Sequence, residues 1–303
     1  MSSIVKHIEA LYLLPLLLLT SCTDKTAEVK TRAMYYWNTT FKIDKQKERF
    51  LADHKVERLY VRYFDVVEDE NGKPMPNATI DLTQASHDSL RLPHDEEGRA
   101  YNKGEGIEII PTVYVHNDCM RTPHDGLAKK ILKRVLQMSE THHMGKVNEI
   151  QIDCDWTRST RESYFALLKI MGDKLHKDGR LLSTTIRLHQ LDQDAPPVDR
   201  GVLMLYNTGN FRDENEENSI LSTQSAEPYF SRFEGYKLPL SLALPDFGWN
   251  VVFRDGKFAQ IVQNANLSDT SLYRLTDKDK YVVMSYHNPG GNAAVTGEES
   301  TLY

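Results

Sequence analysis

The sequence predicts an α/β chain folded as a (β/α)8 TIM-type barrel with a long insertion after strand 2. Three observations point there. Strand-like and helix-like runs alternate from Ala33 onward, which implies parallel strands joined by crossovers. Eight strand-like runs fall within roughly 250 residues, the size of a closed barrel of this kind. No glycine-rich phosphate loop follows the first strand, which argues against the rival doubly wound open sheet.

The amino terminus stands apart from that alternation. "MSSIVKHIEALYLLPLLLLTSC" has a basic start at Lys6, an apolar run over 10–19 and small residues before Cys22. The run is shorter than the roughly 20 residues a bilayer requires and contains Pro15, so it reads as a secretory signal. "LTSC" resembles the lipobox of bacterial lipoproteins, which implies removal of residues 1–21 and lipidation of Cys22. The other reading is a plain signal, or a buried helix, with an incidental cysteine. Residues 22–32, polar and unpatterned, read as a tether, and 33–303 as the barrel domain. Of the 3 cysteines, Cys119 and Cys154 then remain. Outside the cytoplasm they could pair, but Cys154 falls on the apolar side of its strand, and two separate thiols are the expectation.

The elements follow in order. "AMYYWNTTF" (33–41) is the first strand and "KIDKQKERFLADH" its helix. "VERLYVRYFDVV" (56–67) is the second strand. About forty residues without a strong helix come next, where Asn71-Gly72 and the nearby prolines suggest a hairpin turn with "NATIDL" (77–82) returning. "GIEIIPTVYVHN" (106–117) is the third strand. In the helix after it, Leu127, Ile131, Leu132, Val135 and Met138 fall at helical spacing. "VNEIQIDCDW" (147–156) is the fourth strand. The next helix has Ser159 or Thr160 as its N-cap and Gly179 beyond its end. "RLLSTTIRLHQL", "RGVLMLYNTG", "LPLSLALPDFGW" and "KYVVMSYHN" complete the eight, with a poorly patterned helix after the sixth.

Two adjacent strands have an unusual alternation. Ile150, Ile152 and Cys154 share one side of the fourth strand, and Gln151, Asp153 and Asp155 the other. On the fifth, Ser183, Thr185, Arg187 and His189 share the polar side. In a barrel these polar edges face the axis. Two carboxylates about 6.5 Å apart at an effective dielectric near 20 repel by roughly 2.5 kcal/mol, and burial adds to that. Either a cation such as Arg187 compensates, or one acid holds a proton, which is what a general acid requires.

"DCDW" resembles part of the fourth-strand signature of family-18 chitinase-like glycosidases, D-x-x-D-x-D-x-E, and "LMLYN" (203–207) is similar to their sixth-strand M-x-Y-D/N pattern. Asp153 and Asp155 match the last two acids. Ile150 replaces the first, and Thr157 stands where that family has its catalytic glutamate. A threonine hydroxyl does not protonate a leaving sugar at neutral pH, so the family's catalytic residue does not carry over. More broadly, "YVRYFDV", "IIPTVYVHN" and "IQIDCDWT" resemble secreted bacterial lipoproteins with a glycosidase-like barrel, which implies architecture more than activity.

Other strand ends offer candidate site residues. Asp65 ends the second strand, His116 and Asn117 the third, Tyr206 and Asn207 the sixth, Asp246 and Trp249 the seventh, and Trp37 lies on the first. Aromatic rings beside carboxylates suit a sugar. The resulting expectation is a glycoside hydrolase with Asp155 as acid, Asp246 as nucleophile or base, Asp153 orienting Asp155, and Arg187, Tyr206, Asn207, Trp249, His116, Asp65 and Trp37 binding substrate. The alternative is a non-catalytic glycan-binding lipoprotein on a degenerate barrel, which Thr157 favours; a structural envelope protein is a third reading. Bland roles stand beside these: Asp155 as a structural partner of Arg187, Asp246 as a turn cap, the tryptophans as core. The net charge of -6 lacks the basic excess of a nucleic-acid binder, no zinc spacing is present, and the acidic run 213–218 reads as a solvated loop. No metal, cofactor or nucleic-acid partner is expected. The chain is expected to be a monomer in the cell envelope, touching the membrane only through its lipid.

Overall fold

The computed structural model describes residues 31–83, 106–278, 280–286 and 295–302. The expected signal, the lipidation residue Cys22 and nearly all of the tether lie outside them, as does part of the insertion. Arg32–Tyr303 forms one compact unit.

Seven parallel strands and three well-packed helices build its first two thirds. The elements are β1 (Ala33–Tyr36), α1 (Lys45–Asp53), β2 (Arg58–Glu68), β3 (Pro74–Asn77), β4 (Glu108–Val115), α2 (Leu127–Thr141), β5 (Glu149–Asp153), α3 (Arg161–Leu175), β6 (Leu181–Arg187), β7 (Arg200–Met204), α4 (Thr223–Glu234) and β8 (Leu240–Ala243). The sheet runs β1-β2-β4-β5-β6-β7-β8, every neighbour parallel, with β3 antiparallel on β2. This is the expected TIM-type order, and the sheet is strongly curled. A flat sheet at about 4.8 Å per strand would set β1 and β7 about 24 Å apart. Instead Tyr35 of β1 and Tyr60 of β2 belong to one apolar cluster with Val202, Met204 and Tyr206 of the β7 segment and Ala243 of β8.

Local chemistry fixes the helices, α2 and α3 as the sequence predicts. Asp44 caps α1, accepting from the Gln46 and Lys47 amides. Leu127, Ile131, Leu132 and Val135 are the buried stripe of α2. Thr160 is the residue before α3, and Gly179, left-handed at φ 67°, closes the short 3-10 turn beyond it. These helices cover the outer face of β2, β4, β5 and β6 in one large core containing Ile150, Ile152, Cys154, Trp156, Tyr164 and Leu168. Despite its weak pattern, residues 223–234 form α4, capped by Ser222. Cys119 and Cys154 are separate buried thiols.

Three expectations change. "KYVVMSYHN" is not an eighth parallel strand: β12 (Lys280–Tyr286) belongs to a five-stranded antiparallel sheet with β9 (Asn250–Arg254), β10 (Lys257–Val262), β11 (Tyr273–Asp277) and β13 (Val295–Leu302), in the order β10-β9-β13-β12-β11. The reason is local. Asp255 and Gly256, both at positive φ, form a tight hairpin turn where a barrel would require a helical crossover. The returning strand of the insertion is Pro74–Asn77, earlier than "NATIDL", because the turn at Gly72 (φ 72°) pairs Glu68 directly with Pro74. His189 leaves the polar edge of its strand, since the chain turns into a short 3-10 segment at Leu188–Gln190.

Candidate functional site

Side-chain alternation in β5 and β6 places the two polar edges on the concave face. Gln151 pairs in register with Ser183, and both are fully buried. Across the barrel, the Tyr35 hydroxyl donates to Gln151 Oε1 at 2.9 Å. On the convex face the Thr184 hydroxyl instead donates to the Ile152 carbonyl at 2.7 Å and meets the Tyr164 hydroxyl at 2.6 Å. The two faces are therefore equally buried and chemically opposite.

At the carboxyl ends, one guanidinium bridges two acids. Arg187 donates from Nε to Asp155 Oδ1 and from Nη2 to Asp153 Oδ1, the latter at 3.0 Å. Thr185 donates to the same Asp153 oxygen at 2.5 Å, and Tyr114 donates to Asp155 Oδ2 at 3.1 Å. Asp153 is buried, whereas the Asp155 side chain is 47% exposed. Burial pushes the Asp153 carboxyl upward; Arg187 and Thr185 act against that shift, and Asp155 adds to it. Burial opposes the charge of Arg187, but the two acids outweigh it and leave the guanidinium more basic than usual. Burial and the nearby acids also raise the phenols of Tyr35 and Tyr114. Arg187 Nη1 is sealed from solvent without a partner.

Thr157, at the glutamate position of the resembled signature, is held in a hydroxyl network. Its Oγ1 meets Ser159 Oγ at 2.9 Å, and its amide donates to Thr160 Oγ1 at 2.9 Å. Thr160 in turn donates to Asn117 Oδ1 at 2.6 Å. This is a helix-entry motif, with no acid in it.

Aromatic rings flank the acids on both sides. Trp37, 41% exposed just past β1, stacks on Tyr35 at 5.8 Å and 9°, and the Arg62 guanidinium lies 5.5 Å from its ring centre. Arg62 also binds both oxygens of buried Asp65, so Asp65 serves to fix Arg62 beneath Trp37. On the other side Tyr206 meets Phe247 edge-on at 5.5 Å, and Phe247 lies 5.4 Å from half-buried Trp249. The Trp249 indole donates to Ser219 at 3.4 Å, joining the loops after β7 and β8. His116 packs against the Tyr114 ring at 5.0 Å. Asn207 is exposed in a left-handed conformation at φ 53°.

Among the expected residues, Asp153, Asp155, Arg187 and Tyr206 form one electrostatically linked group, and Tyr206 is raised by burial, then lowered by Arg187 and raised by both acids. Asp246 does not join it: it is exposed in the loop after β8 and makes no hydrogen bond or ion pair among the described residues, so it caps no turn. Sequence reasoning missed Tyr114, Tyr35 and Phe247. Tyr114 sits in "EIIPTVYV", where only Glu108 and Thr112 mark the polar edge it shares; its register beside Asp153 across the sheet puts it on the inward side. No group of acids, histidines and cysteines among the described residues is arranged to hold a metal.

No family model matches the sequence, and no curated protein matches it. Solved structures do share the fold. Catalytic domain 2 of the Group II chitinase of Ostrinia furnacalis is similar with a TM-score of 0.50 and 11% identity, over 90% of this chain and 82% of that one. The spore cortex-lytic enzyme SleL of Bacillus cereus gives 0.49 and 15%, over 90% of this chain but only 63% of SleL. A chitinase of Chromobacterium violaceum gives 0.48 and 9%, over 90% and 85%. At such identities the likeness is one of fold alone, a TIM-type barrel.

Proposed function

We propose that this protein is an extracytoplasmic, lipid-anchored glycan-binding protein that uses the carboxyl face of a glycosidase-like barrel without hydrolysing its ligand. The observation behind this reading is the arrangement around Asp155. Both of its oxygens accept hydrogen bonds, one from Arg187 and one from Tyr114, and the neighbouring Thr157 offers no acid. An acid held as a double acceptor orients hydroxyl groups well and protonates a leaving oxygen poorly. Exposed Trp37 and the Phe247–Trp249 pair supply flat apolar faces for sugar rings, a few per site as glycan clefts require. The chitinase identity of the Ostrinia domain, which has the same fold, is consistent with a sugar ligand.

Hydrolysis is the second reading. Asp246 favours it, because an exposed carboxylate on the loop after β8, without a partner among the described residues, could serve as the second acid of a hydrolytic pair. One experiment separates the two: calorimetric titration of a polysaccharide panel, with reducing ends assayed in the same samples. Binding without release supports the glycan-binding role. Release that disappears in Asp155→Asn establishes the hydrolase, and no binding to any glycan ends both.

The anchor rests on "LTSC" alone. Cys22→Ala is expected to abolish labelling by a palmitate analogue and to release the protein from the membrane fraction; unchanged membrane retention would remove the lipid from this proposal.

A further inference from the structure

Among the described residues, neither guanidinium beside the acids is free. Both are engaged, Arg62 by the two oxygens of Asp65 and Arg187 by Asp153 and Asp155. The one nitrogen of Arg187 without a partner, Nη1, is closed off from solvent, so an arriving anion does not reach it. Three of the loops on this face tilt the balance further. The segments after β5, β7 and β8 (154–160, 205–222 and 244–249) contain six acids, Asp155, Asp213, Glu214, Glu216, Glu217 and Asp246, against two bases, Arg158 and Arg212. Arg212 is turned to the rings of Phe211 and Phe258, at 5.5 and 5.3 Å. What a ligand meets is therefore the half-exposed Asp155 carboxylate beside Tyr114 and Tyr206, with exposed Asp246 on the loop after β8. Carboxylates backed by aromatic faces are the chemistry that selects an ammonium group, through direct charge pairing and through the ring quadrupole. A uronate or sulfate would meet the surplus of acids as like charge.

We propose that the cleft selects a cationic amino glycan, whose sugars bear free ammonium groups, and rejects anionic glycans. This rests on the glycan-binding reading and adds the ligand's charge to it.

The test is calorimetric titration of the intact protein with three oligomers of equal length: β-1,4-linked glucosamine, its fully N-acetylated counterpart and oligogalacturonate. At about 50 mM salt the amine oligomer is expected to bind about ten-fold tighter than the acetylated one, an advantage that shrinks several-fold at about 500 mM as screening sets in. Oligogalacturonate is expected not to bind. Asp155→Asn, checked for an unchanged melting profile, is expected to remove the amine preference, and the salt dependence of the unmodified protein supplies an independent readout should that variant fold poorly. Equal or tighter binding of the acetylated oligomer at low salt, or any binding of oligogalacturonate, overturns the proposal while leaving a glycan-binding protein. Failure of all three to bind overturns the glycan reading itself, and this inference with it.

Discussion

The two faces of β5 and β6 are equally buried but chemically opposed. Outward, Ile150, Ile152 and Cys154 lie against α2 and α3 in a continuous apolar core, closed at the strand ends by Trp156 stacked near Tyr164 and Phe165. Inward, Gln151, Asp153, Ser183, Thr185 and Arg187 fill the concave side, where the apolar cluster reduces to a few residues such as Tyr60, Ile110, Val202 and Met204. Burying apolar side chains contributes about 1.5–3 kcal/mol each, whereas buried charges at best break even once desolvation is counted. The outer face therefore holds the sheet together. The inner face costs stability and supplies a preorganised site. The lower end of the barrel shows the same economy in a structural role, with Arg200 on Glu149 and Arg58 on Glu108 as paired charges far from the cleft.

That contrast can be broken from either side. The largest effect is expected from Trp156→Ala on the outer face. Loss of a fully buried ring and its contacts should lower unfolding free energy by about 3–5 kcal/mol in urea titration, while the folded fraction keeps its ligand affinity. A loss below about 1 kcal/mol would mean that the outer face is not the source of stability.

Arg187→Met tests the inner face. It leaves Asp153 buried without a cation, with Thr185 its remaining donor, a change that should destabilise by about 3–5 kcal/mol at neutral pH and also abolish ligand binding. The sign of its pH dependence follows from Asp153. Burial raises its folded-state value above the ordinary 3.8, so its contribution is present below 3.8 and is lost as pH climbs through the raised value. Without Arg187, which lowers that value in the native protein, the loss deepens and extends upward. The stability gap between variant and native protein should therefore narrow on acidification, and a gap independent of pH would show that Asp153 is not the group responsible.

The smallest effect on stability is expected from Trp37→Ala. Its ring is largely exposed, so unfolding free energy should change by less than about 1 kcal/mol, whereas ligand affinity should fall by about ten-fold. The reverse pattern, lost stability with intact binding, would return Trp37 to the core.

Legibility in the sequence followed the strength of local periodicity. The acid and base edges of β5 and β6 were readable because polar residues interrupt apolar strands at every second position, and no packing argument explains them. Tyr114 was harder to read, because only Glu108 and Thr112 mark its edge of β4 and Ile110 interrupts that edge. Asp246 was placed at a strand end by its neighbours "LPLSLAL", yet β8 ends at Ala243 and the acid lies in the following loop. The eighth strand failed for a related reason. Lys280–Tyr286 has the composition of a barrel strand, and composition does not say which partner an extended segment will find.

What the sequence determined by itself was everything set by neighbours along the chain: the alternation of parallel strands and helices, the cap at Asp44, the start of α3 at Thr160, the buried stripe of α2, and the polar edge containing Asp153, Asp155 and Arg187. Only the tertiary structure decided which groups from distant strands meet, that Arg187 joins both acids, that Tyr114 binds Asp155, and that the chain after β8 turns into a second sheet. Side-chain period and capping are fixed within a few residues, whereas pairing and charge compensation depend on curvature of the whole sheet, which no short window of sequence contains.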